Sequence, residues 1–301
     1  MMSRGDRREK IVTWDEDRAL FVKTLGEACA KTDWQVHAFC LMGNHFHLVL
    51  ETPKANLVNG MKWFLGTYTI RYNARHKLQG HLFAGRYKSL VIDERDPHYL
   101  RVACDYVHLN PARAGLVAPK EKLERYPWSS YPGYLKPAGK RPAWVRTDRL
   151  RGEHGVKRDD HRGRLEFSRR MESRRLEPGE EETGPMRRGW KMGAEDFVSH
   201  LLDRIEGGIG ENHRAEERME TEEEKAERIV TGELKRCRMK ENDLALLRKG
   251  DPRKVAIARR LRQETTMTLK WIAERLRMGT WTYVSNLIYN DRTGNSVNNK
   301  D

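Results

Sequence analysis

The stretch CLMGNHFHLVLE, residues 40–51, decides the fold because it joins a turn signal to a strand-like run. The dipeptide Gly43-Asn44 is typical of a turn. The run HFHLVLE after it is apolar and rich in β-formers, and so is WQVHAFCLM before it, residues 34–42. Two such runs joined by a short turn predict a β-hairpin.

Two histidines of this hairpin lie on the same side of their strand. Residues i and i+2 of a strand share one face of the sheet, so His45 and His47 present two imidazoles side by side. Leu48 and Leu50 then face the core. A pair of imidazoles is a ready site for a divalent metal. Two polar histidines at a strand end, without any ligand, are the alternative interpretation.

Helical patterns surround the hairpin. Asp96 suits an N-cap, Pro97 suits the first helical turn and Pro111 marks an end, which predicts a helix over residues 96–110. Helical spacing of apolar residues predicts two more helices, over residues 15–32 and 56–76. A loop followed by a strand is expected over residues 80–93. This mixture favours the α+β class, with an antiparallel sheet and helices on one face.

Composition divides the chain into four parts. Residues 1–135 are rich in apolar and aromatic residues and predict a first domain. The following segment is charged and predicts a helical and flexible linker over residues 136–240. Three short helices with helix-turn-helix spacing are expected within residues 241–292, at about 252–263, 269–277 and 281–289. Residues 293–301 predict a disordered tail.

Charge and cysteine content limit the function classes. The net charge is +14 and the pI is near 9.7, which indicates a polyanionic partner, nucleic acid first and an acidic membrane surface second. No window of about 18 apolar residues exists, so we expect no membrane span. The four cysteines are scattered without a C-x-x-C pair, as in a cytoplasmic protein with reduced thiols, and a zinc ribbon is unfavourable.

The helix at residues 96–110 adds two polar groups. Tyr106 and Asn110 are four residues apart and therefore share one helical face. A tyrosine hydroxyl, with a pKa of about 10, is a poor nucleophile toward a phosphodiester unless a metal neutralises the phosphate. Asn110 could supply a neutral oxygen to that metal. Alternatively, Tyr106 is a core aromatic on the face of Tyr99 and Val102.

Four ordered blocks resemble a known family. GNHFHLVLE, GTYTIRYNARH, GHLFAGRYKS and DYVHLNPARAGLV are together similar to the single-tyrosine HUH (IS200-like) transposases, and the REP-associated tyrosine transposases are the nearest branch. The resemblance covers roughly residues 3–135. It implies a ferredoxin-like domain that nicks and joins single-stranded DNA. It also implies that His45, His47 and Asn110 bind Mg²⁺ or Mn²⁺ and that Tyr106 forms a 5′-phosphotyrosine.

Basic residues in and after these blocks are candidates for contacts with single-stranded or hairpin DNA, although surface charge or core packing explains each of them equally well. Arg86 and Lys88 are favoured, because a strand at GRYKS would place both on one face. The remaining candidates are Arg71, Arg113, and Thr282, Tyr283, Ser285 and Asn286 in the terminal bundle. That bundle could instead serve packing or a homodimer.

One departure and two other functions qualify the resemblance. Relatives usually carry an extended segment before a turn like Ser3-Arg4-Gly5, whereas this chain starts almost at that turn. Either the start is misassigned or the sheet lacks an edge strand. A catalytically inactive DNA-binding regulator is the alternative function. A metal hydrolase is less favoured, because only Glu51 and Asp105 lie near the proposed site residues in sequence.

Overall fold

The computed structural model describes residues 1–176, 191–194, 196–199 and 221–290. The chain folds into two compact units. Among the described residues, the first unit takes 1–29, 34–53 and those from 64 to 199, and the second takes 30–33, 54–63 and 221–290. The predicted tail at 293–301 and much of the predicted linker lie outside the described residues.

The three-stranded sheet of the first unit is antiparallel, as predicted. Strands β2 (Gln35–Leu41) and β3 (His45–Glu51) form the predicted hairpin. A three-residue strand, β1 (Met2–Arg4), pairs with the other edge of β3, which gives the order β1-β3-β2. The expectation that the sheet lacks its first strand is therefore wrong, because these three residues form one.

The predicted strand within residues 80–93 is mostly absent. Isolated bridges join Met2 to Lys88 and Gly5 to Phe83, so the segment runs along β1 without forming a regular strand. Gly85, with φ of +61°, bends the chain between the two bridges, a conformation that glycine adopts at little cost. A short strand, β4 (Val91–Ile92), follows and pairs in parallel with β5 (Lys191–Met192). Placing Arg86 and Lys88 on one face of a strand was wrong.

Two helices cover one face of the sheet, in agreement with the α+β prediction. Helices α1 (Asp15–Thr32) and α2 (Leu57–His76) bring aromatic rings onto Phe46 of β3. Phe21 lies 5.1 Å and Phe64 lies 5.9 Å from Phe46 between ring centroids. Tilted and edge-on contacts of this kind are the preferred geometry for aromatic pairs.

Helix α3 (Pro97–Arg113) packs on the opposite face, where its Val107 shares an apolar core with Val49 of β3. Its start is as predicted, because the Asp96 carboxylate accepts a hydrogen bond from the His98 amide at 2.9 Å. Its end is not, since the helix continues past Pro111 to Arg113. The amides of the two residues that follow the helix, 114 and 115, donate to carbonyls of its last turn, which secures the extra turn.

Packing in the first unit continues beyond residue 135. After α4 (Tyr131–Tyr134), helices α5 (Asp148–Glu153) and α6 (His161–Leu176) add side chains to the core of α3. The rings of Tyr134 and Phe167, for instance, stack with centroids 5.1 Å apart. The domain limit at residue 135 stays a prediction, but the helices α5 and α6 beyond it pack in the first unit.

The second unit contains a helical bundle. Its core includes Ile229, Ile257, Ile272 and Val284. The predicted start of the second short helix is confirmed, because the Thr268 hydroxyl accepts a hydrogen bond from the Trp271 amide at 3.1 Å. Its helices are α7 (Glu222–Arg236), α8 (Asp243–Leu246), α9 (Pro252–Glu264), α10 (Leu269–Arg275) and α11 (Trp281–Asn290).

Two further predictions concern the whole chain. The structure forms no disulfide between the four cysteines Cys29, Cys40, Cys104 and Cys237, all of which lie in the described residues. In the part of the chain that the structure describes, no helix has the length and apolar character needed to cross a membrane.

Candidate active site

The two histidines of β3 lie on the face of the sheet that α3 covers. Their ring centroids are 5.0 Å apart. His45 Nδ1 lies 2.7 Å from the side-chain oxygen of Asn44. With the proton on Nδ1, that oxygen accepts the hydrogen bond and leaves Nε2 with a free lone pair. A polar partner on the second ring nitrogen is the usual support of a metal-binding histidine.

Both imidazoles are held in their neutral form. Burial, followed by the electrostatic effects of His45, the N-terminus and Arg4 in that order of size, lowers the pKa of His47 to about 3. Burial, followed by the Arg4 charge, also lowers the pKa of His45. At neutral pH both rings are therefore unprotonated, the state in which histidine binds metal.

Tyr106 stands beside this pair. Its ring centroid lies 5.6 Å from that of His47, at an interplanar angle of 80°. On the same helix, the Arg113 guanidinium carbon lies 5.3 Å from the Tyr106 ring centroid. The seven-residue spacing of Tyr106 and Arg113 is two helical turns, which brings both to one face of α3. The half-buried Tyr106 thus contacts both an imidazole and a guanidinium.

Asn110 follows Tyr106 by one turn and carries an unpaired group. Its side-chain nitrogen is buried and has no hydrogen-bond partner. Buried amides are nearly always paired, so this one indicates a missing partner. Rotating the amide by 180° exchanges its nitrogen and oxygen, so that Asn110 can offer either a donor or an oxygen ligand.

These donors fit a divalent ion. Two neutral imidazoles and one amide oxygen are an acceptable ligand set for Mn²⁺ or Mg²⁺ and leave coordination positions for substrate oxygens and water. Among the described residues, no three His, Cys, Asp or Glu side chains cluster as a complete metal site.

The two nearby carboxylates serve other partners. Glu51 Oε2 lies 3.1 Å from His37 Nε2. The same oxygen lies 3.1 Å from a guanidinium nitrogen of Arg146 and 3.2 Å from one of Arg149. Asp105 Oδ1 lies 2.8 Å from His154 Nε2 and its Oδ2 lies 2.6 Å from Arg174 Nε. Neither carboxylate is available as the general base that a metal hydrolase would use.

A family comparison bears directly on these residues. Residues 1–110 match a family model described as "Transposase IS200 like". This segment, which is less than half of the chain, is therefore similar to the IS200-like transposases. The matched segment contains His45, His47, Tyr106 and Asn110, and its family supports a role in DNA transposition with DNA as the partner. No curated protein and no solved structure matches the chain.

The predicted DNA-binding residues of the first unit differ in where the structure places them. Arg113 lies beside the ring of Tyr106. Lys88 is exposed and forms a β-bridge with Met2, and Met2 in turn pairs with His47 across the neighbouring strand. Directly opposed residues share a face, so Lys88 belongs to the histidine face. Arg86 is exposed in the bend beside Gly85. Arg71 pairs with Glu27 at 2.7 Å between α2 and α1, and the structure does not bring it to the site.

The candidates in the terminal bundle lie on α11 of the second unit. Thr282, Tyr283 and Asn286 are exposed, and Ser285 is half-buried. Gly279, with φ of +90°, makes the turn before this helix. The exposed positions fit a helix that presents its first turns to a ligand, and their DNA-binding role stays a prediction.

Two residues beside the candidate site were missed from the sequence. Asn44 was assigned to a turn, although it also holds His45. Arg4 was assigned to the turn Ser3-Arg4-Gly5, although it lies in β1 directly opposite His45. Only the pairing of β1 with β3 reveals Arg4, because those residues are far apart in sequence.

Proposed function

We propose that this IS200-like transposase nicks single-stranded DNA and joins it to another strand, with Tyr106 as the nucleophile. The observation that carries this proposal is the contact between the rings of Tyr106 and His47, at 5.6 Å between centroids. It places a hydroxyl-bearing side chain beside two neutral imidazoles, and none of the nearby carboxylates competes for the same chemistry.

The chemical step conserves the number of phosphodiester bonds. Tyr106 Oη attacks a backbone phosphorus, a bond from Oη to phosphorus forms, and the bond from phosphorus to the 3′ oxygen breaks. The phenolic proton ends on the released 3′-hydroxyl, and the 5′ end stays on Tyr106 as a phosphotyrosine. The 3′-hydroxyl of a second strand reverses the step and gives strand transfer without a nucleotide cofactor.

The residues around Tyr106 divide the work. Mg²⁺ or Mn²⁺ bound by His45, His47 and Asn110 would neutralise charge on the attacked phosphate. The Arg113 guanidinium over the Tyr106 ring favours negative charge on that ring as the phenol loses its proton. Both effects matter, because a phenol with an ordinary pKa of about 10 is protonated at neutral pH.

The finer features of the proposal concern the substrate and the second unit. We assign the chain to the REP-associated branch, acting on hairpin-forming repeats in the cytoplasm. The bundle of α9, α10 and α11 would act as a helix-turn-helix that binds the paired part of such a hairpin through α11. Its alternative role is packing or dimerisation.

A second candidate function is a catalytically inactive DNA-binding regulator. The same basic surface and helical bundle would support it, and the short β1 favours it by supporting the histidine strand with only three residues. Trapping of the covalent intermediate distinguishes the two functions.

The test uses labelled hairpin oligonucleotides with single-stranded flanks, incubated with the full chain and Mn²⁺ and resolved on a denaturing gel. Wild type should give a protein–DNA adduct, EDTA should prevent it, and Tyr106→Phe should abolish it. Tyr99→Phe on the same helix is the matched control and should keep the adduct. Binding without any adduct over varied substrates would favour the regulator, and an adduct lost only in Tyr99→Phe would make Tyr99 the nucleophile.

A further inference from the structure

Arg4 lies on the face of the sheet that carries the site. In the pairing of β1 with β3, Arg4 is directly opposite His45, and Met2 is opposite His47. Directly opposed residues of antiparallel strands point the same way, with Cβ atoms about 5 Å apart. The Arg4 side chain therefore starts beside His45. Its charge contributes to the lowered pKa of both histidines, which places it within electrostatic range of both rings.

The Arg4 guanidinium has unused hydrogen-bonding capacity. Its Nε is buried and has no hydrogen-bond partner, and no carboxylate among the described residues forms an ion pair with Arg4. Arg4 as a whole is half-buried, but a buried charged donor such as its Nε is costly to leave unpaired. The nitrogen of Asn110, on the helix that covers the same face, is another unpaired donor.

The charges of the site call for an anion. Glu51 and Asp105, the carboxylates nearest in sequence, are engaged with cations of their own. A divalent ion at the histidines would add positive charge near Arg4, and the two would repel each other unless an anion lay between them. An oxyanion with several oxygens satisfies both, because a guanidinium fork binds two oxygens of a phosphate at once.

We propose that Arg4 binds the non-bridging oxygens of the phosphate that Tyr106 attacks, an inference that rests on the proposed function. The two arginines of the site then have different tasks. Arg113 lies over the nucleophile, whereas Arg4 holds the electrophile beside the histidines. Arg4 thereby fixes which phosphate of the strand stands in front of Tyr106.

The decisive experiment removes the charge from each side of this contact. A cleavable oligonucleotide, identified by its adduct with wild type, is prepared with its scissile phosphate intact or replaced by an uncharged methylphosphonate. On the intact phosphate, Arg4→Met should slow adduct formation about 100-fold, in keeping with the loss of a charge-assisted bidentate contact. On the methylphosphonate, the same substitution should cost less than about fivefold, because the charge that Arg4 binds is already absent.

Arg7→Met is the matched control, since Arg7 is exposed and lies three residues away. It should slow both substrates equally and little. An equal loss on both substrates for Arg4→Met, with the adduct still formed by wild type, would overturn the role of Arg4 and leave the proposed function intact. A structural role for Arg4 would also give that equal loss.

A second measurement does not depend on cleavage. On the Tyr106→Phe background, binding of a fluorescent 20-nucleotide single strand is followed at several salt concentrations. Arg4→Met should weaken binding about tenfold and reduce the salt slope by about one phosphate. If wild type forms no adduct but this loss is seen, the proposed nicking fails and Arg4 is still a phosphate-binding residue. If neither is seen, both proposals fail.

Discussion

The two sides of helix α3 carry similar residues in different states. On one side, Asp105 contacts His154 and Arg174, and His108 lies 2.8 Å from the Ser130 hydroxyl. On the other side, Tyr106 and Asn110 face the histidine strand, and the Asn110 amide nitrogen is unpaired. All four α3 residues fall within one six-residue stretch of sequence. A buried side-chain nitrogen without a hydrogen-bond partner occurs on both sides, at His108 and at Asn110. The side whose charged groups are paired within the chain supports the fold, and the side that faces the two histidines is the one open to a ligand.

The largest expected effect tests the open side. His47→Ala removes one of the two imidazoles and should slow adduct formation by at least about 100-fold, since a lost metal contact costs several kcal/mol of transition-state stabilisation. The rate is measured by denaturing gel in Mn²⁺. His108→Ala is the control from the paired side and should stay within a few-fold per folded molecule. Full Mn²⁺-dependent adduct formation by His47→Ala would contradict the assignment of the histidine-facing side of α3 as the side that binds a ligand.

The second effect tests the paired side. Asp105 is buried, and its carboxylate contacts His154 and Arg174. Asp105→Asn removes the negative charge that faces both of these side chains. The free energy of unfolding should fall by about 3 kcal/mol, because breaking a buried charged network costs more than the pair contributes. Urea denaturation at neutral pH measures it.

The matched control is Glu166→Gln, the same acid-to-amide change at an exposed ion pair with Arg170 on α6. Its unfolding midpoint should hardly move, since exposed pairs contribute little. Adduct formation per folded Asp105→Asn molecule should remain near that of wild type. A large loss of cleavage at unchanged stability would mean that Asp105 acts in the site.

The third effect concerns pH. Burial, followed by the charge of His154, lowers the pKa of His108 to about 3, against about 6.5 in the unfolded chain. Below pH 6.5 the unfolded state gains a proton that the folded state does not, so stability falls as the pH falls. From pH 7 to pH 5, His108 should account for about 2 kcal/mol of that loss.

His108→Gln should therefore reduce the pH dependence of the unfolding free energy by that amount. Urea denaturation at pH 7 and at pH 5 gives the unfolding free energy of wild type and variant at each pH. The change between the two pH values is compared, because the other buried histidines contribute equally to that change in both proteins. An unchanged slope would show that His108 is accessible to protons in the folded state.

Local patterns predicted the parts of this comparison that depend on neighbours in sequence. The period of two placed His45 and His47 together, and the spacing of four placed Tyr106 and Asn110 on one helical face. The capping pattern at Asp96 also located the start of α3. Each of these follows from the geometry of a single element, so no long-range contact had to be known.

What the sequence could not supply depends on pairing over long distances. Arg4 reaches the site only through the register of β1 on β3. Arg113 reaches Tyr106 only because α3 continues past Pro111, where a helix end was predicted. The bend at Gly85 separates Arg86 from Lys88, which a regular strand would have kept together. The sequence likewise does not predict which side of α3 forms ion pairs within the chain. Arg174 and His154, the partners of Asp105, lie 49 or more residues away from it.

The smallest expected effect tests Lys88 against Arg86. Lys88, Met2 and His47 form one row across neighbouring chain segments, so Lys88 lies about 10 Å from His47 on the same face. A strand of DNA held at Tyr106 could place its next phosphates there. Lys88→Met on the Tyr106→Phe background should weaken single-strand binding about threefold and reduce the salt slope by about one.

Arg86→Met removes the same charge from the neighbouring bend and should weaken binding less than about twofold, with little change in slope. Fluorescence anisotropy of the same labelled oligonucleotide at two salt concentrations distinguishes the variants. Equal losses would mean that DNA senses only the total charge of this edge. The row that links Lys88 to the histidines would then have no part in positioning the DNA strand. The DNA-contacting surface on this face would extend no further than Arg4.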